Sequence, residues 1–198
     1  MRPHGFGGHL AGWVMAHRSS NRRRNQWVVS LLDVRPADRV LEIGYGPGIA
    51  VAELSRLATS GMVVGIEHSE VMRRAASRRN AAGVRAGRVD LRLGSVESLP
   101  DFGETFDTIL SVNSMGFWSD HVARLRTLRG ALRPGGTIAI ASQPRCPGAS
   151  RETAARTGRE IGAALVAAGF GPVRTRTLDL EPPVVCVIAA LEGEGDPS

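Results

Sequence analysis

The sequence contains no lysine, so all 25 of its basic residues are arginines, against 19 acidic residues and a formal net charge of +6. A basic surplus of this size suits nucleic-acid binders. Abundant alanine and glycine, however, accompany the arginines, which indicates a high-GC coding bias, and the composition therefore disfavours a nucleic-acid partner without excluding an acidic ligand. We interpret the spread arginines as solvated helix faces, among them Arg22–Arg24, Arg73, Arg74, Arg78, Arg79, Arg124, Arg126, Arg129 and Arg133.

Long apolar runs and cysteines are also scarce. No apolar run reaches the roughly 20 residues of a membrane-spanning helix, and the N-terminal stretch lacks the apolar core of a secretory signal. The two cysteines, Cys146 and Cys186, have neither metal-ligand nor redox spacing. We therefore expect free thiols, no bound metal, no membrane span and a cytoplasmic location.

Strand-like and helix-like segments alternate along most of the chain. Ser69 and Ser150 occupy N-cap positions of two predicted helices, and Gly169 follows the second of them. This alternation predicts an α/β fold with a Rossmann-like, doubly wound, seven-stranded and mostly parallel sheet that carries helices on both faces. The predicted strands cover residues 39–44, 62–67, 88–94, 106–114, 137–142, 172–180 and 183–191.

The stretch VLEIGYGPGIA, residues 40–50, places Gly44, Gly46 and Gly48 directly after the first predicted strand. Glycines at such a junction allow backbone N–H groups to approach a ligand closely. A tight turn that only permits packing of the helix on the sheet is the alternative. The dinucleotide pattern G-x-G-x-x-G would require a glycine where Ile49 stands, which weakens a nicotinamide-dependent oxidoreductase.

The form E-x-G-x-G-x-G resembles motif I of the class I S-adenosylmethionine-dependent methyltransferases. The resemblance continues in order through VVGIEHS, GSVESLP, FDTILSVNS and LRPGGTIAIA, and it covers about residues 38–142. It is strongest to the small-molecule branch that includes the ubiquinone and menaquinone biosynthesis methyltransferases. The resemblance implies S-adenosylmethionine as methyl donor and S-adenosylhomocysteine as product.

The resemblance also implies where the cofactor contacts the chain. Glu42 reaches the amino group, and the ribose hydroxyls bind Glu67, whose two oxygens can accept both O–H donors. The residues expected to line the methionine part are Gly44, Tyr45, Gly46 and Gly48.

The remaining implied contacts follow later strands. His68 and Met72 flank the adenine. Ser95 stands where many relatives have an aspartate that contacts the adenine amine, and the adjacent Val96 offers a backbone N–H. Two residues after the fourth strand are expected near the sulfonium, namely Asn113 and Ser114.

In this family an N-terminal segment often covers the site, so we expect a helical lid over residues 1–35, a cofactor-binding domain over 36–191 and a frayed tail over 192–198. Met15 and Asn21 are candidate lid contacts with the cofactor. His17 and His121 are candidate general bases, with surface or capping roles as the alternative. Phe117 and Trp118 form either an acceptor wall or part of the core.

These expectations favour a monomeric or homodimeric enzyme that methylates an O, C or N atom of a small molecule. The short additions to the fold argue against a large protein or RNA acceptor. Two alternatives stay open: an rRNA or tRNA methyltransferase that uses the arginine surplus, and a cofactor-binding regulatory protein without catalysis.

Overall fold

A computed structural model describes residues 19–192. A helix over residues 19–30, α1, precedes the sheet. The strands are β1 (Arg39–Ile43), β2 (Met62–Glu67), β3 (Val89–Leu93), β4 (Phe106–Val112), β5 (Leu132–Ser142), β6 (Val173–Leu178) and β7 (Val184–Ala190). The other helices are α2 (Ile49–Leu57), α3 (Glu70–Arg79), α4 (Ala81–Arg85), α5 (His121–Ala131) and α6 (Arg151–Ala167), with two 3-10 turns at Val96–Ser98 and Met115–Phe117.

The seven strands form one sheet in the order β3-β2-β1-β4-β5-β7-β6. Strands β1 to β5 pair in parallel, whereas β7 lies antiparallel between β5 and β6. The chain winds outward from β1 in one direction to β3, then returns past β1 to start β4. The switch point of the sheet therefore lies between β1 and β4, where ligands bind in doubly wound folds.

Alternate strand residues supply two separate cores, one on each face. Leu41 and Ile109 belong to the cluster that packs against α5 and α6, while Val40 and Leu110 belong to the cluster under α1, α2 and α3. This alternation follows from the two-residue period of side chains along a strand. The expected Rossmann-like sheet with helices on both faces is confirmed.

The predicted strands match the observed ones to within about two residues except at β5, a margin typical of sequence-based bounds. The strand begins at Leu132, before its predicted start at residue 137, because Leu132 pairs with Phe106 before the register slips to Thr137 opposite Thr108. Between these pairs the backbone loops out through Gly135, which has a φ of 73°. The segment before residue 137 is therefore an irregular part of the same strand.

Two helix starts are confirmed at the predicted caps. Ser69 accepts a hydrogen bond from the N–H of Met72 at the start of α3, and Ser150 and Thr153 form a capping box at the start of α6. The helix predicted after Ser69 is interrupted at Asn80, so it forms two helices, α3 and α4. Within the predicted lid, residues 19–30 are helical. Residues 1–18 and 193–198, which include Met15 and His17, lie outside the described part.

Candidate functional site

A cavity of about 660 Å³ lies at the carboxyl ends of β1, β2 and β4, under one side of α1. This volume is within the range of small-molecule sites. Eleven of the residues that the sequence placed in a cofactor site line it: Glu42, Gly44, Tyr45, Gly46, Glu67, His68, Met72, Ser95, Val96, Asn113 and Ser114. Asn21 of α1 lines it as well.

Glu67, the last residue of β2, is held against the glycine loop that follows β1. Its side chain is 6% exposed. One carboxylate oxygen accepts a hydrogen bond from the N–H of Gly46 at 3.0 Å, and the other accepts one from the N–H of Ser69 at 3.0 Å. The His68 ring lies 3.0 Å from the second oxygen, with its side chain 79% exposed. The carboxylate is thus fixed in position at the cavity wall.

The three glycines of the loop serve different needs. A Cβ on Gly44 would lie 2.3 Å from the Ser114 Cβ, and one on Gly48 would lie 2.6 Å from the Asn80 amide nitrogen. A Cβ on Gly46 would meet nothing within 4 Å. Gly44 and Gly48 therefore lack a side chain because neighbouring residues pack against them, while Gly46 borders open space in the cavity.

The family resemblance implies that all three glycines line the cofactor, but the structure places Gly48 outside the cavity lining. Gly48 is not among the lining residues. It is instead the N-cap of α2, with a φ of 73°, and its backbone oxygen accepts a hydrogen bond from Asn80. The turn-and-packing alternative thus holds for this one glycine.

Glu42 is a buried acid on β1 beneath the loop. Burial raises its pKa to about 8; a hydrogen bond from the Val51 backbone opposes the rise, and the charge of Glu67 adds to it. Within the described residues, one oxygen of Glu42 has no hydrogen-bond partner. A ligand with a cationic donor would satisfy this oxygen and favour the charged carboxylate.

Tyr45 lies in the loop and lines the cavity, and its side chain is held against β2. The ring is buried against Gly65 of β2, where a Cβ would lie 2.5 Å from the tyrosine Cδ1. Its hydroxyl lies 3.4 Å from the Arg92 carbonyl oxygen. The side chain therefore supports the loop from below.

The end of the cavity near β3 combines polar and apolar groups suited to a planar ring. Val96 is buried, and Met72 is partly exposed at the start of α3. The Ser95 hydroxyl accepts a hydrogen bond from the N–H of Glu97, so it caps the 3-10 turn. This arrangement fits the adenine position expected from the sequence.

The end near β4 is built around Asn113 and Ser114. Asn113 has a φ of 58°, its amide oxygen accepts a hydrogen bond from the N–H of Gln143 at 2.6 Å, and its amide nitrogen has no partner. The Ser114 hydroxyl donates to the Ile43 carbonyl and lies 2.7 Å from the Ser111 hydroxyl. Ser114 thus joins β4 to the glycine loop.

The two aromatic residues after β4 take different positions. Both line the cavity, but Trp118 is buried within the core cluster, whereas Phe117 is 86% exposed. Trp118 therefore belongs to both the core and the cavity wall, and Phe117 fits the acceptor-wall alternative.

Of the two candidate general bases, His121 is the one that the structure describes. His121 is the first residue of α5, is exposed, and is not among the lining residues. Asp120 is the N-cap of this helix, so the exposed position of His121 corresponds to the surface alternative. His17 lies outside the described residues.

Sequence reasoning missed Arg24, Asn25 and Arg145, which line the cavity, and Gln143, which hydrogen-bonds to the lining residues Arg24 and Asn113. The interpretation of Arg22–Arg24 as a solvated face is wrong for Arg24, which is 5% exposed. The helical period could have predicted this burial, because Arg24 and Asn25 lie four residues before the buried Val28 and Val29 and therefore on the same face of the helix. The run of three arginines obscured that signal.

Over residues 19–192 no helix is long and apolar enough to cross a membrane. The same residues contain no group of three histidine, cysteine, aspartate or glutamate side chains that could hold a metal ion.

Comparison with known proteins followed from this geometry. A family model described as a methyltransferase domain matches residues 40–136. The chain is 34% identical over 181 residues to an uncharacterized methyltransferase, YdaC, from Bacillus subtilis (strain 168), covering 91% of this chain and 97% of that protein.

A second relative matches over a shorter length. The chain is 35% identical over 105 residues to a ubiquinone biosynthesis O-methyltransferase from Rhizobium etli, covering 52% of this chain but only 40% of the relative. Among solved structures, a SAM-dependent methyltransferase from Aquifex aeolicus superimposes with a TM-score of 0.68 at 22% identity, covering 84% of this chain and 89% of that one. The structural likeness supports the same fold.

Proposed function

The chain belongs to the class I S-adenosylmethionine-dependent methyltransferases, and from that premise we propose that it transfers a methyl group to a small-molecule acceptor. The observation that carries the proposal is the contact between buried Glu67 and Gly46, at the ends of adjacent parallel strands. This contact places an acid beside the open glycine that follows β1, the strand at the switch point of the sheet, inside the segment that the family model matches.

The residues of the cavity fit S-adenosylmethionine. Glu67 retains acceptor capacity for ribose hydroxyls, since each carboxylate oxygen accepts more than one hydrogen bond. The unpartnered oxygen of Glu42 fits an ammonium group, and the wall formed by Ser95, Val96 and Met72 fits an adenine. These assignments extend to this chain what the family resemblance implies.

When bound, S-adenosylmethionine supplies an intrinsically activated methyl group. The chain then has to orient the acceptor and exclude water, because alignment of the reacting atoms provides most of the catalysis in such a displacement. The Asn113 side chain is fixed by Gln143, and α1 covers the cavity from the side of β5. Phe117 gives the mouth an apolar edge that suits a partly apolar acceptor.

A small acceptor is favoured over RNA by the cavity itself. Among the described residues, Arg24 and Arg145 are the arginines that line it, whereas exposed helix-face arginines that would bind phosphates, such as Arg78, Arg79 and Arg126, do not. The quinone-related O-methyltransferase supports a small-molecule acceptor, although the chain spans 40% of that relative.

The test begins with binding. Isothermal titration of the protein with S-adenosylhomocysteine should give saturable heat, and NAD should give none. The absence of heat with S-adenosylhomocysteine, together with saturation by NAD, would overturn the cofactor assignment.

The acceptor class is tested by labelling. The protein is incubated with methyl-tritiated S-adenosylmethionine and either a metabolite extract below the size of proteins or total RNA. We expect label in the small-molecule fraction, with loss of that label in Glu67→Ala. Label in RNA alone would favour the nucleic-acid alternative, and cofactor binding without label in either fraction would favour a non-catalytic protein.

A further inference from the structure

Arg24 on α1 is a buried cation that faces the cavity without an acidic partner. Its Nη1 donates to the Gln143 Oε1 at 2.6 Å, its Nη2 donates to the Asn21 Oδ1, and its Nε has no partner. Over residues 19–192 no carboxylate lies within ion-pair distance of this guanidinium. Buried charges in proteins are normally paired, so this position is incomplete without an anion.

A second arginine faces the same cavity from the segment after β5. Arg145 is exposed at the cavity wall and, within the described residues, forms no ion pair. Burial, followed by the charge of Arg145, lowers the pKa of Arg24 to about 10. Two like charges that face one cavity repel each other, and an anion held near both removes that repulsion.

The acids that line the cavity have other roles. Glu67 accepts hydrogen bonds from two backbone N–H groups beside the glycine loop. Glu97 is paired with Arg124 and bonded to Ser119. Glu42, with its raised pKa, is mostly protonated at neutral pH. None of them neutralises Arg24.

Neutral donors extend the cationic position toward β4. Gln143 connects Arg24 to Asn113, because its Oε1 accepts from Arg24 and its backbone N–H donates to the Asn113 Oδ1. The Asn113 Nδ2 has no partner. The end of the cavity near β5 is therefore rich in donors, of which two, one on Arg24 and one on Asn113, lack acceptors.

We infer that Arg24 and Arg145 form a subsite for a carboxylate at the β5 end of the cavity. Guanidinium groups suit this ligand because they donate parallel hydrogen bonds to its two oxygens. Two molecules can bring the carboxylate: the methionine part of the cofactor, or an anionic methyl acceptor. In the second case the inference rests on the proposed function and narrows the acceptor to anionic small molecules.

The test uses two variants and one matched control. Arg24→Gln and Arg145→Gln each remove one cation of the subsite, and Arg23→Gln removes an exposed cation next to Arg24 on α1. Arg145 is exposed, so its variant keeps the test usable if Arg24→Gln unfolds. Thermal unfolding of each variant is measured first.

Three probes separate the sources of the carboxylate. S-adenosylhomocysteine carries one, 5′-methylthioadenosine is a related nucleoside without it, and 4-fluorobenzoate, followed by fluorine NMR, is a simple carboxylate. If the cofactor supplies the anion, the variants should bind S-adenosylhomocysteine about tenfold or more weakly than wild type does. Their affinity for 5′-methylthioadenosine should change by less than about twofold. If the acceptor supplies it, the affinity for both nucleosides should be the same in the variants as in wild type. Wild type saturated with S-adenosylhomocysteine should then bind 4-fluorobenzoate about tenfold more tightly than the saturated variants do.

The inference is overturned if folded Arg24→Gln and Arg145→Gln bind all three probes like Arg23→Gln, to within about twofold. Failure of the proposed function gives a different result, since wild type would then bind neither nucleoside. In that event 4-fluorobenzoate alone still tests the subsite.

Discussion

The carboxylate of Glu67 lies 3.0 Å from the backbone nitrogen of Gly46, so the acid that ends β2 is bonded to the loop that follows β1. Two strands that are adjacent in the sheet but separated in sequence thus form one corner of the site. The bond fixes the acid and presents the open glycine in the same place. The position of the acid and the geometry of the loop are therefore coupled in this chain.

Replacing Glu67 with alanine should weaken binding of S-adenosylhomocysteine by on the order of 1–3 kcal/mol, because two charge-assisted hydrogen bonds are lost. Isothermal titration measures the effect. Glu160→Ala, an exposed change on α6, is the control and should leave the affinity unchanged. An unaltered dissociation constant in Glu67→Ala would place the ribose elsewhere.

Alanine at Gly46 and at Gly48 should separate binding from folding. Gly46→Ala incurs about 1–2 kcal/mol of left-handed backbone strain but no clash, and its methyl group borders the cavity. We expect it to weaken S-adenosylhomocysteine about tenfold or more. Gly48→Ala adds contacts below 3.0 Å with Ala76 and Asn80 and should lose about 2–5 kcal/mol of stability.

Urea unfolding and isothermal titration of both glycine variants provide the measurements. Equal stability losses in the two variants would contradict the packing role of Gly48. Unchanged affinity in Gly46→Ala would contradict the view that the ligand lies against this glycine.

Glu42 should make stability depend on pH in a defined direction. Burial raises its folded-state pKa to about 8, whereas a glutamate in an unfolded chain titrates near about 4.3. Its stabilising contribution is therefore full below the unfolded pKa and is lost as pH rises through the folded pKa. Glu42→Gln, which cannot ionise, should gain stability relative to wild type as pH rises from about 5 to about 9, by on the order of 1–4 kcal/mol.

Urea unfolding of wild type and Glu42→Gln across that pH range measures the difference directly. A stability difference that does not vary with pH would show that Glu42 keeps an ordinary pKa. Glu160→Gln controls for replacing a glutamate at an exposed position.

Ser114→Ala should destabilise the protein by about 1 kcal/mol while leaving the affinity for S-adenosylhomocysteine within about twofold. The reason is that the hydroxyl bonds to Ile43 and Ser111. Ser111→Ala, which removes only the second of these contacts, is the matched comparison and should lose less stability. A large loss of affinity in Ser114→Ala would instead support the sulfonium contact that the resemblance implies.

The sequence predicted the sheet and the acid at the end of β2 because these depend on local pattern. Apolar strand segments, the caps Ser69 and Ser150 and the glycine loop are all readable from neighbouring residues. The roles of Gly48 and Ser114 were not readable, since they depend on Asn80, Ala76 and Gly44, which are close only in the folded chain.

Arg24 shows a different limit of sequence reasoning. An arginine in a run of three is normally solvated, and only the tertiary position of α1 against Gln143 buries this one. The antiparallel placement of β7 between β5 and β6 likewise depends on long-range pairing, since strand patterns alone do not specify order in a sheet. The bulge near the start of β5 arises from another long-range pairing, that of β5 with β4.

The glycine loop is fastened at both ends, by the Ser114 hydroxyl on Ile43 and by the Asn80 amide on Gly48. A loop that already has its bound shape loses little conformational entropy when a ligand binds. The glycine loop should therefore bind its ligand without a change of backbone conformation. Any slow step in recognition then belongs to segments other than this loop.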